Sequence, residues 1–453
     1  MKQYYVWSIG CQMNDSESRR AAEGLEVMGY LPTRDPQQAD VILLNTCVVR
    51  QSAEDKAYGR LTSLKPIKEK RPETVIALMG CLVGQEPDRL RHHLPYVDVF
   101  LPPAQIEGLF SYLHETNGDE GGGMARAEVA ARWRMQEEES PMPALAEQPV
   151  AAYVSIIHGC NRRCTFCIVP HRRGPQRSRP IPEVVEEVEG LVARGSREVT
   201  MLGQIVDCWG QDLPGEPGLG DLLRAVHEVE GIERIRFLTS HPMFFNEGIV
   251  DAVAELPKVC EHIEIPIQAG DDVVLKRMAR GYKVEAYRAL TALIRERIPH
   301  AGIATDIIVG FPGETDSQFQ ATLDLLEEQR FDVVHVAAFS PRAGTYAADH
   351  MEDDVPHEEK VRRRKAVDDL QERIAGEINA RLLGETVEVL VEEEHKGKWK
   401  GRTRTNKLVF FEHPDEWRGR LAQVRLTRTG PWSMQGEVVA ETVSGRPALA
   451  VAP

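Results

Sequence analysis

The feature that most constrains the fold is an apolar run that recurs three times near the start of the chain and is followed each time by a cysteine. The runs YYVWSIG, DVILLNT and TVIALMG precede Cys11, Cys47 and Cys81, which are 36 and 34 residues apart. That interval is about the length of a β-strand plus the helix that crosses back to the next parallel strand. Because the carboxyl ends of parallel strands share one edge of a sheet, the spacing predicts an open parallel α/β domain with three thiols at that edge. These thiols are predicted to hold a metal cluster, the alternative being three small buried core cysteines.

A second group of cysteines lies in the run GCNRRCTFCIVP. Cys160, Cys164 and Cys167 have the spacing C-x3-C-x2-C. Three thiolates on one tight loop can bind three irons of a 4Fe–4S cluster and leave the fourth iron open. The amino and carboxylate groups of S-adenosylmethionine (SAM) can chelate an open iron of this kind. A structural zinc site would need a fourth ligand, for which His171 is the nearest candidate, and a redox dithiol is a further alternative.

Composition places the chain among large intracellular enzymes. The 453 residues are 42% hydrophobic and 28% charged, and no apolar run reaches the roughly 18 residues of a membrane span. The start of the chain lacks the features of a signal peptide, so we expect a cytoplasmic protein without a membrane partner. Eight cysteines in such a chain favour metal binding or catalysis over disulfides. We expect Cys208 and Cys260, the latter in a helix-like stretch, to be structural.

Four segments separate on composition. Residues 1–114 form the first α/β domain, and residues 115–149 are rich in Gly, Glu and Pro and are predicted to be a linker. Residues 150–377 alternate short apolar strands with helix-length stretches, and residues 378–446 carry short strands with turn signals. A helix from about Pro356 to Leu383 is predicted between the last two segments, because Pro marks its first turn and Gly384 its end.

The middle segment predicts six strand–helix units, which would form an incomplete version of the (β/α)8 barrel. The predicted strands lie near residues 151–159, 197–204, 234–240, 262–269, 302–310 and 332–339. Ligand-binding groups in such a fold are found at the carboxyl ends of the strands. Polar or glycine residues near these ends are the candidate SAM contacts: Ser240, Gln268, Asp306, Gly310 and Arg342. Each of them taken alone is better explained as a cap or turn residue, but together they line one rim.

Together these motifs resemble the radical-SAM methylthiotransferases, and the resemblance covers nearly the whole chain. It is carried by GCQMN at 10–14, NTCVVR at 45–50, GC at 80–81, the cysteine loop within 159–180, TSHP at 239–242, DIIVGFPGET at 306–315 and GRTRTNK at 401–407. The family has an N-terminal methylthiotransferase domain, a partial (β/α)6 radical-SAM barrel and a small C-terminal TRAM-like β-barrel. TSHP and GRTRTNK favour the branch that acts on N6-(dimethylallyl)adenosine (isopentenyladenosine) next to the anticodon of tRNA.

The resemblance implies a reaction that needs two 4Fe–4S clusters. The cluster on the catalytic cysteines Cys160, Cys164 and Cys167 would serve to cleave SAM to a radical that removes hydrogen from carbon 2 of the adenine. A side-chain base near neutral pH has little prospect of removing that proton. The second cluster would be bound by Cys11, Cys47 and Cys81 and would carry the sulfur, which a second SAM methylates. The product would be 2-methylthio-N6-(dimethylallyl)adenosine.

Two groups of residues near these sites bear on recognition of the base and on the properties of the second cluster. At 203–210 the chain reads GQIVDCWG, where the family favours an Asn-rich run like GQNVNSYG, so that Ile205 and Asp207 replace amides on the predicted rim. Asn14, Asn45 and Arg50 flank the first cysteines and are candidates for hydrogen bonds to cluster sulfur. Helix or turn capping is the alternative role for the two Asn residues.

RNA binding has to be reconciled with a net charge of −15. Residues 396–428 contain ten Lys or Arg and only three acids, with Trp399, Phe410, Phe411 and Trp432 interleaved as possible stacking faces. A second basic block, free of acids, runs from Arg162 to Arg179. A solvated charged face is the alternative explanation for such runs. The candidate RNA-binding residues are Arg172, Arg173, Lys398, Lys400, Arg402, Arg404 and Lys407.

The sequence also predicts binding partners for this chain and leaves alternative functions open. The resemblance implies a tRNA substrate, a flavodoxin- or ferredoxin-type electron donor, and a donor of sulfur or of iron–sulfur clusters. The alternatives are a methylthiotransferase acting on an Asp of a ribosomal protein or on threonylcarbamoyl-adenosine in tRNA, and a non-catalytic iron–sulfur protein that binds RNA.

Overall fold

The computed structural model describes residues 2–49, 51–84, 87–116 and 149–441. These residues form two compact units, each of which has its own interior. The first unit comprises the described residues up to 116 together with 158–162 and 167–176, and the second comprises most of the rest. The predicted linker lies outside the described residues from 117 to 148, and so do Arg50 and residues 442–446. Within the described parts of the chain, no helix combines the length and the apolar character that a bilayer-spanning segment needs.

The first unit contains a five-stranded, all-parallel sheet. Its strands are β1 (Gln3–Ser8), β2 (Leu31–Pro32), β3 (Val41–Thr46), β4 (Val75–Gly80) and β5 (Val99–Leu101), in the order β2-β1-β3-β4-β5. Its helices are α1 (Gln12–Val27), α2 (Gln51–Lys70), α3 (Asp88–Arg91), α4 (Glu107–Thr116) and α5 (Val169–Arg173).

Both faces of this sheet are buried, and the central strands are therefore apolar throughout rather than alternating. Ile42 and Leu44 of β3 pack on one side with Leu61 of α2. Val41 and Leu43 pack on the other side, in a cluster that includes side chains of α1 and α4. The parallel α/β domain predicted from the three apolar runs is confirmed.

The second unit begins with six parallel strands in sequential order. These are β6 (Ala151–Ser155), β9 (Glu198–Leu202), β10 (Arg234–Phe237), β11 (His262–Glu264), β12 (Gly302–Val309) and β13 (Val333–Ala338). β6, β9 and β10 form one sheet, and β11, β12 and β13 form the next. A parallel bridge between Ile235 and Val259 joins the two. The partial (β/α)6 barrel predicted from the sequence is confirmed, with all six strands within five residues of their expected bounds. The two short strands between β6 and β9 are β7 (Ile157–His158) and β8 (Arg177–Ser178).

Helices follow the barrel strands. They are α6 (Ile181–Ala193), α7 (Leu219–His227), α8 (Glu247–Glu255), α9 (Asp272–Arg277), α10 (Val284–Arg297), α11 (Asp316–Gln329), α12 (Tyr346–His350) and α13 (His357–Ala380), with a 3-10 turn at Val206–Cys208. Helix α13 begins after Pro356 and ends a few residues before Gly384, as predicted. Cys208 and Cys260 are buried in this unit. The expectation of a helical stretch around Cys260 is wrong, because its backbone N–H donates to Ile235 O as the chain enters β11.

The C-terminal strands close into a small barrel. They are β14 (Thr386–His395), β15 (Lys398–Thr403), β16 (Leu408–Phe411), β17 (Leu421–Thr429) and β18 (Met434–Glu441), in the order β14-β15-β16-β18-β17. Pairing of β14 with β17 completes the closure and leaves no free sheet edge. The small β-barrel predicted for this segment is confirmed.

Candidate functional site

The three N-terminal cysteines lie together at the carboxyl edge of the first sheet. Cys11 is the N-cap of α1, Cys47 follows β3 and Cys81 follows β4. The latter two are buried. The loops are tightly packed, because a Cβ at Gly10, which has φ +141°, would lie 2.6 Å from Cys47 Cβ. The structure therefore brings the three predicted thiols to one edge, as the strand spacing requires.

The chemistry of this edge suits a metal cluster bound by thiolates. Burial is the main cause that raises the pKa of the Cys81 thiol to about 12; Arg173 acts to lower it, and Cys47 and Cys11 act to raise it. None of these cysteines is in a disulfide. Iron would replace the thiol protons and remove the cost of burying thiolate charge, so these residues fit an iron–sulfur cluster.

Two buried asparagines connect the cysteine-bearing loops. Asn14 Nδ2 donates to Asn45 Oδ1 and to Thr46 O, both at 3.0 Å, and Asn14 Oδ1 accepts from Cys11 Sγ at 3.3 Å. Asn45 Nδ2 donates to Asn14 O at 2.9 Å and to Ser18 Oγ at 3.1 Å. These bonds hold the start of α1 against the end of β3, which fixes Cys11 relative to Cys47.

Arg173, predicted to bind RNA, is buried beside the same cysteines. Its Nη1 donates to Glu17 Oε1 at 2.6 Å and its Nη2 to Asn14 Oδ1 at 3.2 Å. Only 3% of the Arg173 side chain and 2% of the Glu17 side chain are exposed. Burial by itself lowers the pKa of Arg173, but Glu17, Cys81 and Cys11 raise it above its ordinary value. The guanidinium is therefore a fixed positive charge at the cysteine edge.

Cys160 and Cys167 flank the other cysteine loop and are partly exposed. The Arg162 N–H points to Cys160 Sγ at 3.4 Å, and Cys160 N donates to Gly174 O at 3.1 Å. Gly159 has φ +69°, and a Cβ there would lie 2.1 Å from Pro175 O, so only glycine fits before the first cysteine. The loop is thus held in a shape that leaves its cysteines partly exposed.

Cys164 belongs to the second unit, where it contacts a buried arginine. Arg280 Nη1 donates to Cys164 Sγ at 3.5 Å, Nη2 to Pro266 O at 3.1 Å and Nε to Tyr282 Oη at 3.0 Å. The next residue, Thr165, donates its N–H to Met278 O and its hydroxyl to Arg277 O. Helix α9 and the turn that follows it therefore position this cysteine.

The surroundings of the Cys160–Cys167 loop fit a 4Fe–4S cluster. Among the residues that the structure describes, no three Cys, His, Asp or Glu side chains converge as the ligands of one metal ion. In a 4Fe–4S cluster each thiolate binds a different iron, so its ligands stand further apart than those of one ion. The cysteines of this loop are partly exposed, and Cys160 Sγ and Cys164 Sγ accept N–H and guanidinium hydrogen bonds, as cluster thiolates do.

The candidate SAM contacts lie at the carboxyl ends of the barrel strands. Ser240 N donates to Glu264 O at 3.1 Å, and Gln268, with φ +77°, exchanges backbone hydrogen bonds with Asp306 and Ile308. The strand ends that carry Ser240, Gln268 and Asp306 are therefore adjacent. Burial and the charge of Asp306 raise the pKa of Glu264 to about 7, which adds a carboxyl group that the sequence analysis did not single out.

Helix α13 packs against the turn after β12 and supports it. Gly310 has φ +68°, and a Cβ there would lie 2.4 Å from Lys360 Cγ. Gly310 N donates to Glu314 Oε2 at 2.6 Å, and Arg363 Nη1 donates to the same oxygen at 2.8 Å. Arg342, the last candidate SAM contact, is buried in the loop after β13.

Asp207, where the family favours Asn, is buried at this rim. Its Oδ2 accepts the His241 N–H at 2.7 Å, and burial raises the pKa of its carboxyl to about 7. Ile205 is also buried. The His241 ring lies edge-on to Tyr282, with centroids 5.5 Å apart. A chain of contacts thus leads from Asp207 through His241 and Tyr282 to Arg280 and Cys164.

The GRTRTNK segment lies at the opposite, amino-terminal ends of the strands. Arg404 donates to Glu261 at 2.7 Å and to the backbone oxygens of Pro257 and Val259, just before β11. Lys407 pairs with Asp332 at 2.5 Å, just before β13. In return, the buried side chains of Arg234 and Arg236 on β10 donate to backbone oxygens of the segment: Arg402, Thr403 and Arg404.

The remaining candidate RNA-binding residues and aromatic side chains divide between surface and interior. Lys398, Lys400 and Arg402 are partly exposed and pair with Glu412, Glu393 and Glu392. Arg172 is half-buried. The expectation that Trp399 and Phe411 offer stacking faces is wrong, because both pack in the core of the small barrel. Trp432 is 57% exposed, and Arg425 and Arg428 on β17 are exposed as well.

Sequence reasoning missed several groups that organise the site. Glu17, Glu264 and Arg363 lie in helices or strands, and Arg280 lies in the turn before α10; charged residues ordinarily face water. The sequence RGYKVEAY around Arg280 carries one usable signal, an Arg-Gly-Tyr turn placed shortly before a helix. The other three are recognisable only from partners that are remote in sequence.

Comparison with known proteins assigns each segment. Residues 154–326 match the radical SAM superfamily, residues 3–102 match the uncharacterized protein family UPF0004, and residues 380–439 match the TRAM domain. These matches confirm the predicted iron–sulfur and SAM cofactors and the predicted TRAM-like barrel.

The most informative relatives match almost the whole chain. The tRNA-2-methylthio-N(6)-dimethylallyladenosine synthase of Roseiflexus sp. (strain RS-1) is 50% identical over 96% of this chain and 89% of its own length. The enzyme of the same name from Herpetosiphon aurantiacus is 47% identical over 97% and 98%.

A solved structure supports the fold. The radical SAM methyltransferase TsrM from Kitasatospora setae, with cobalamin and a 4Fe–4S cluster bound, has a TM-score of 0.54 at 12% identity, covering 88% of this chain and 81% of that one. The chain therefore belongs to the tRNA-2-methylthio-N6-dimethylallyladenosine synthase family of radical-SAM methylthiotransferases.

Proposed function

We propose that this chain transfers a methylthio group to carbon 2 of N6-(dimethylallyl)adenosine, next to the anticodon of tRNA. The observation that carries the proposal is the presence of two separate sets of three cysteines, one at the carboxyl ends of β1, β3 and β4 and the other in the loop that follows β6 and β7. The choice of tRNA nucleoside is supported by the names of relatives that are up to 50% identical over nearly the full chain.

The proposal gives each cysteine set its own task. Cys160, Cys164 and Cys167 would hold the cluster at which bound SAM supplies the radical chemistry. Cys11, Cys47 and Cys81 would hold the cluster that delivers the sulfur, with a second SAM as methyl donor. The cofactors carry the chemistry, and the protein supplies binding, orientation and electrostatics.

The protein side chains around these sites have supporting roles in the proposal. The rim residues Ser240, Gln268, Asp306, Gly310 and Arg342 would bind and orient SAM. Asp207 and Ile205 would shape the part of the rim where the family carries amides, next to the His241 backbone.

RNA binding in the proposal uses exposed cations. Lys398, Lys400, Arg402 and Arg172 are the candidates that remain partly accessible. Arg425, Arg428 and Trp432 extend that surface on the small barrel. The reaction also needs an electron donor of the flavodoxin or ferredoxin type and a donor that restores sulfur, and we place it in the cytoplasm, where tRNA is modified.

An anaerobic assay tests the proposal directly. Reconstituted protein, SAM and a reductant are mixed with tRNA that carries dimethylallyladenosine, and the digested nucleosides and 5′-deoxyadenosine are measured by mass spectrometry. We expect a methylthio mass gain on that nucleoside. C160A should lose both signals, C47A should keep 5′-deoxyadenosine and lose the mass gain, and C260A, a buried cysteine outside both sets, should keep both.

Other outcomes separate the alternatives. Formation of 5′-deoxyadenosine without a mass gain on this nucleoside would contradict the tRNA substrate and point to a ribosomal protein or to threonylcarbamoyl-adenosine. Absence of both signals in protein with two intact clusters would point to a non-catalytic iron–sulfur protein.

A further inference from the structure

The buried ion pair between Arg173 and Glu17 has no explanation in RNA binding. Both side chains are almost fully buried, so neither can contact a phosphate without a rearrangement of the first unit. Burial of such a pair carries a large desolvation free energy, and the pair is often no more stabilising than apolar side chains of similar volume. A buried pair beside a cluster site therefore calls for a specific role.

Hydrogen bonds connect the Arg173 guanidinium to the loop that carries Cys11. Arg173 donates to Asn14 Oδ1, the same oxygen that accepts from Cys11 Sγ. Glu17, one turn further along α1 than Asn14, supplies the compensating negative charge.

We propose that Arg173 and Glu17 are positioning residues that set the charge around the cluster on Cys11, Cys47 and Cys81, and thereby its reduction potential. This inference rests on the proposed function only for the presence of that cluster. Reduction adds negative charge to the cluster, so a nearby fixed cation favours the reduced state and a nearby fixed anion opposes it. The pair is close to neutral as a whole, but either residue without the other would shift the reduction potential of the cluster.

The test measures the potential of this cluster alone. The full chain carrying C160A, C164A and C167A is reconstituted with iron and sulfide, and its reduction is followed by electron paramagnetic resonance. R173Q should lower the ratio of reduced to oxidised cluster at a fixed potential by about tenfold, and E17Q should raise it by a similar factor. The double variant R173Q/E17Q should return close to the parent, and R173K, which keeps the charge, should stay close to it.

Controls separate the charge effect from disruption of the site. R177Q removes one positive charge from an exposed position and should leave the potential unchanged. Iron content per chain reports whether each variant still assembles the cluster. If R173Q fails to assemble it, E17Q and R173K still decide the question.

Three outcomes would overturn the proposal. One is a potential that R173Q and E17Q leave unchanged, and another is a shift in the same direction for both. The third is an R173Q protein with the parent potential and weakened tRNA binding, which would return Arg173 to the RNA-binding set. No tRNA is needed for the potential, so failure of the proposed reaction would be a separate result.

Discussion

Arg280 shows how one buried side chain can serve several groups at the barrel rim. Its guanidinium donates to Cys164 Sγ, Pro266 O and Tyr282 Oη. A hydrogen bond from a charged donor stabilises thiolate over thiol and orients the sulfur. Arg280 therefore links the cysteine loop to the strand ends where SAM is proposed to bind.

Replacing Arg280 should weaken the cluster on Cys160, Cys164 and Cys167. In a chain that also carries C11A, C47A and C81A, R280Q is expected to lower 5′-deoxyadenosine formation by about 10- to 100-fold, together with iron content. R288Q, at a more exposed arginine of α10 that pairs with Glu328, is the control and should match the parent. A parent-like rate and iron content in R280Q would remove Arg280 from this role.

Asp207 should make the stability of the chain depend on pH. Its folded pKa is raised to about 7 by burial, whereas an unfolded Asp has a pKa of about 3.9. Between these values the unfolded state releases the proton more readily, so the carboxyl destabilises the fold increasingly as pH rises from about 4 to 7. Above pH 7 the penalty is constant.

The matching test is D207N, which removes the titrating group. It should be more stable than the parent by about 4 kcal/mol at pH 8, and the gain should fade toward pH 4. Urea unfolding at several pH values measures this difference. D324N, at an exposed position, should change the free energy of unfolding by less than about 0.5 kcal/mol. A gain for D207N that is equally large at pH 4.5 and pH 8 would contradict the assignment.

At the scale of elements, helix α13 acts as a support for the turn after β12. Arg363 on this helix binds Glu314, and Glu314 in turn accepts the Gly310 N–H. Lys360, also on α13, donates to Phe339 O at 3.4 Å and pairs with Asp353. The turn proposed to approach SAM is thus held by a helix that lies well beyond it in the sequence.

Loss of the ion pair between Arg363 and Glu314 should lower the free energy of unfolding more than a substitution at the surface does. R363M would leave Glu314 buried without its cation, and we expect a destabilisation of about 3 kcal/mol together with weaker SAM binding. R364M, on the same helix with an exposed side chain, should stay within about 0.5 kcal/mol of the parent. Denaturant unfolding and SAM titration of the two variants provide the comparison. Equal effects in both would show that the buried pair has no special role.

The sequence predicted elements well where one physical signal dominates. Continuous apolar runs such as VILLNT mark strands buried on both faces, and the parallel topology then brings Cys11, Cys47 and Cys81 to one edge. It did not indicate that Arg173 and Arg404 form ion pairs within the fold, because a basic run ordinarily lies at the surface. Their partners Glu17 and Glu261 are 156 and 143 residues away, and nothing in the local pattern identifies such pairs.

For the whole molecule, the basic residues of the C-terminal barrel divide into two functional groups. Arg404 and Lys407 attach the small barrel to the strand starts of the radical-SAM barrel. Arg425 and Arg428 are exposed on β17. Charge counting along the sequence treats these groups alike, although only the second is fully exposed.

This division predicts different responses to salt. R428M should weaken tRNA binding and make the log–log salt dependence of affinity shallower by about 0.7, the value for one phosphate contact to a single strand. R404M should leave that slope unchanged and should lower the thermal unfolding temperature, because hydrogen bonds to Glu261 and two backbone oxygens are lost. Tight binding by R428M with an unchanged slope would exclude this face as a phosphate contact.

The attachment of GRTRTNK beneath the strands also limits how this chain can recombine with its relatives. A TRAM barrel taken from another protein would have to provide backbone oxygens for Arg234 and Arg236, and cations for Glu261 and Asp332. A TRAM barrel without these groups would leave Arg234, Arg236, Glu261 and Asp332 without their partners where the two barrels meet. The boundary between these two folds is therefore a poor place for a genetic crossover, and a chimera should be cut so that both sides of the seam come from one parent.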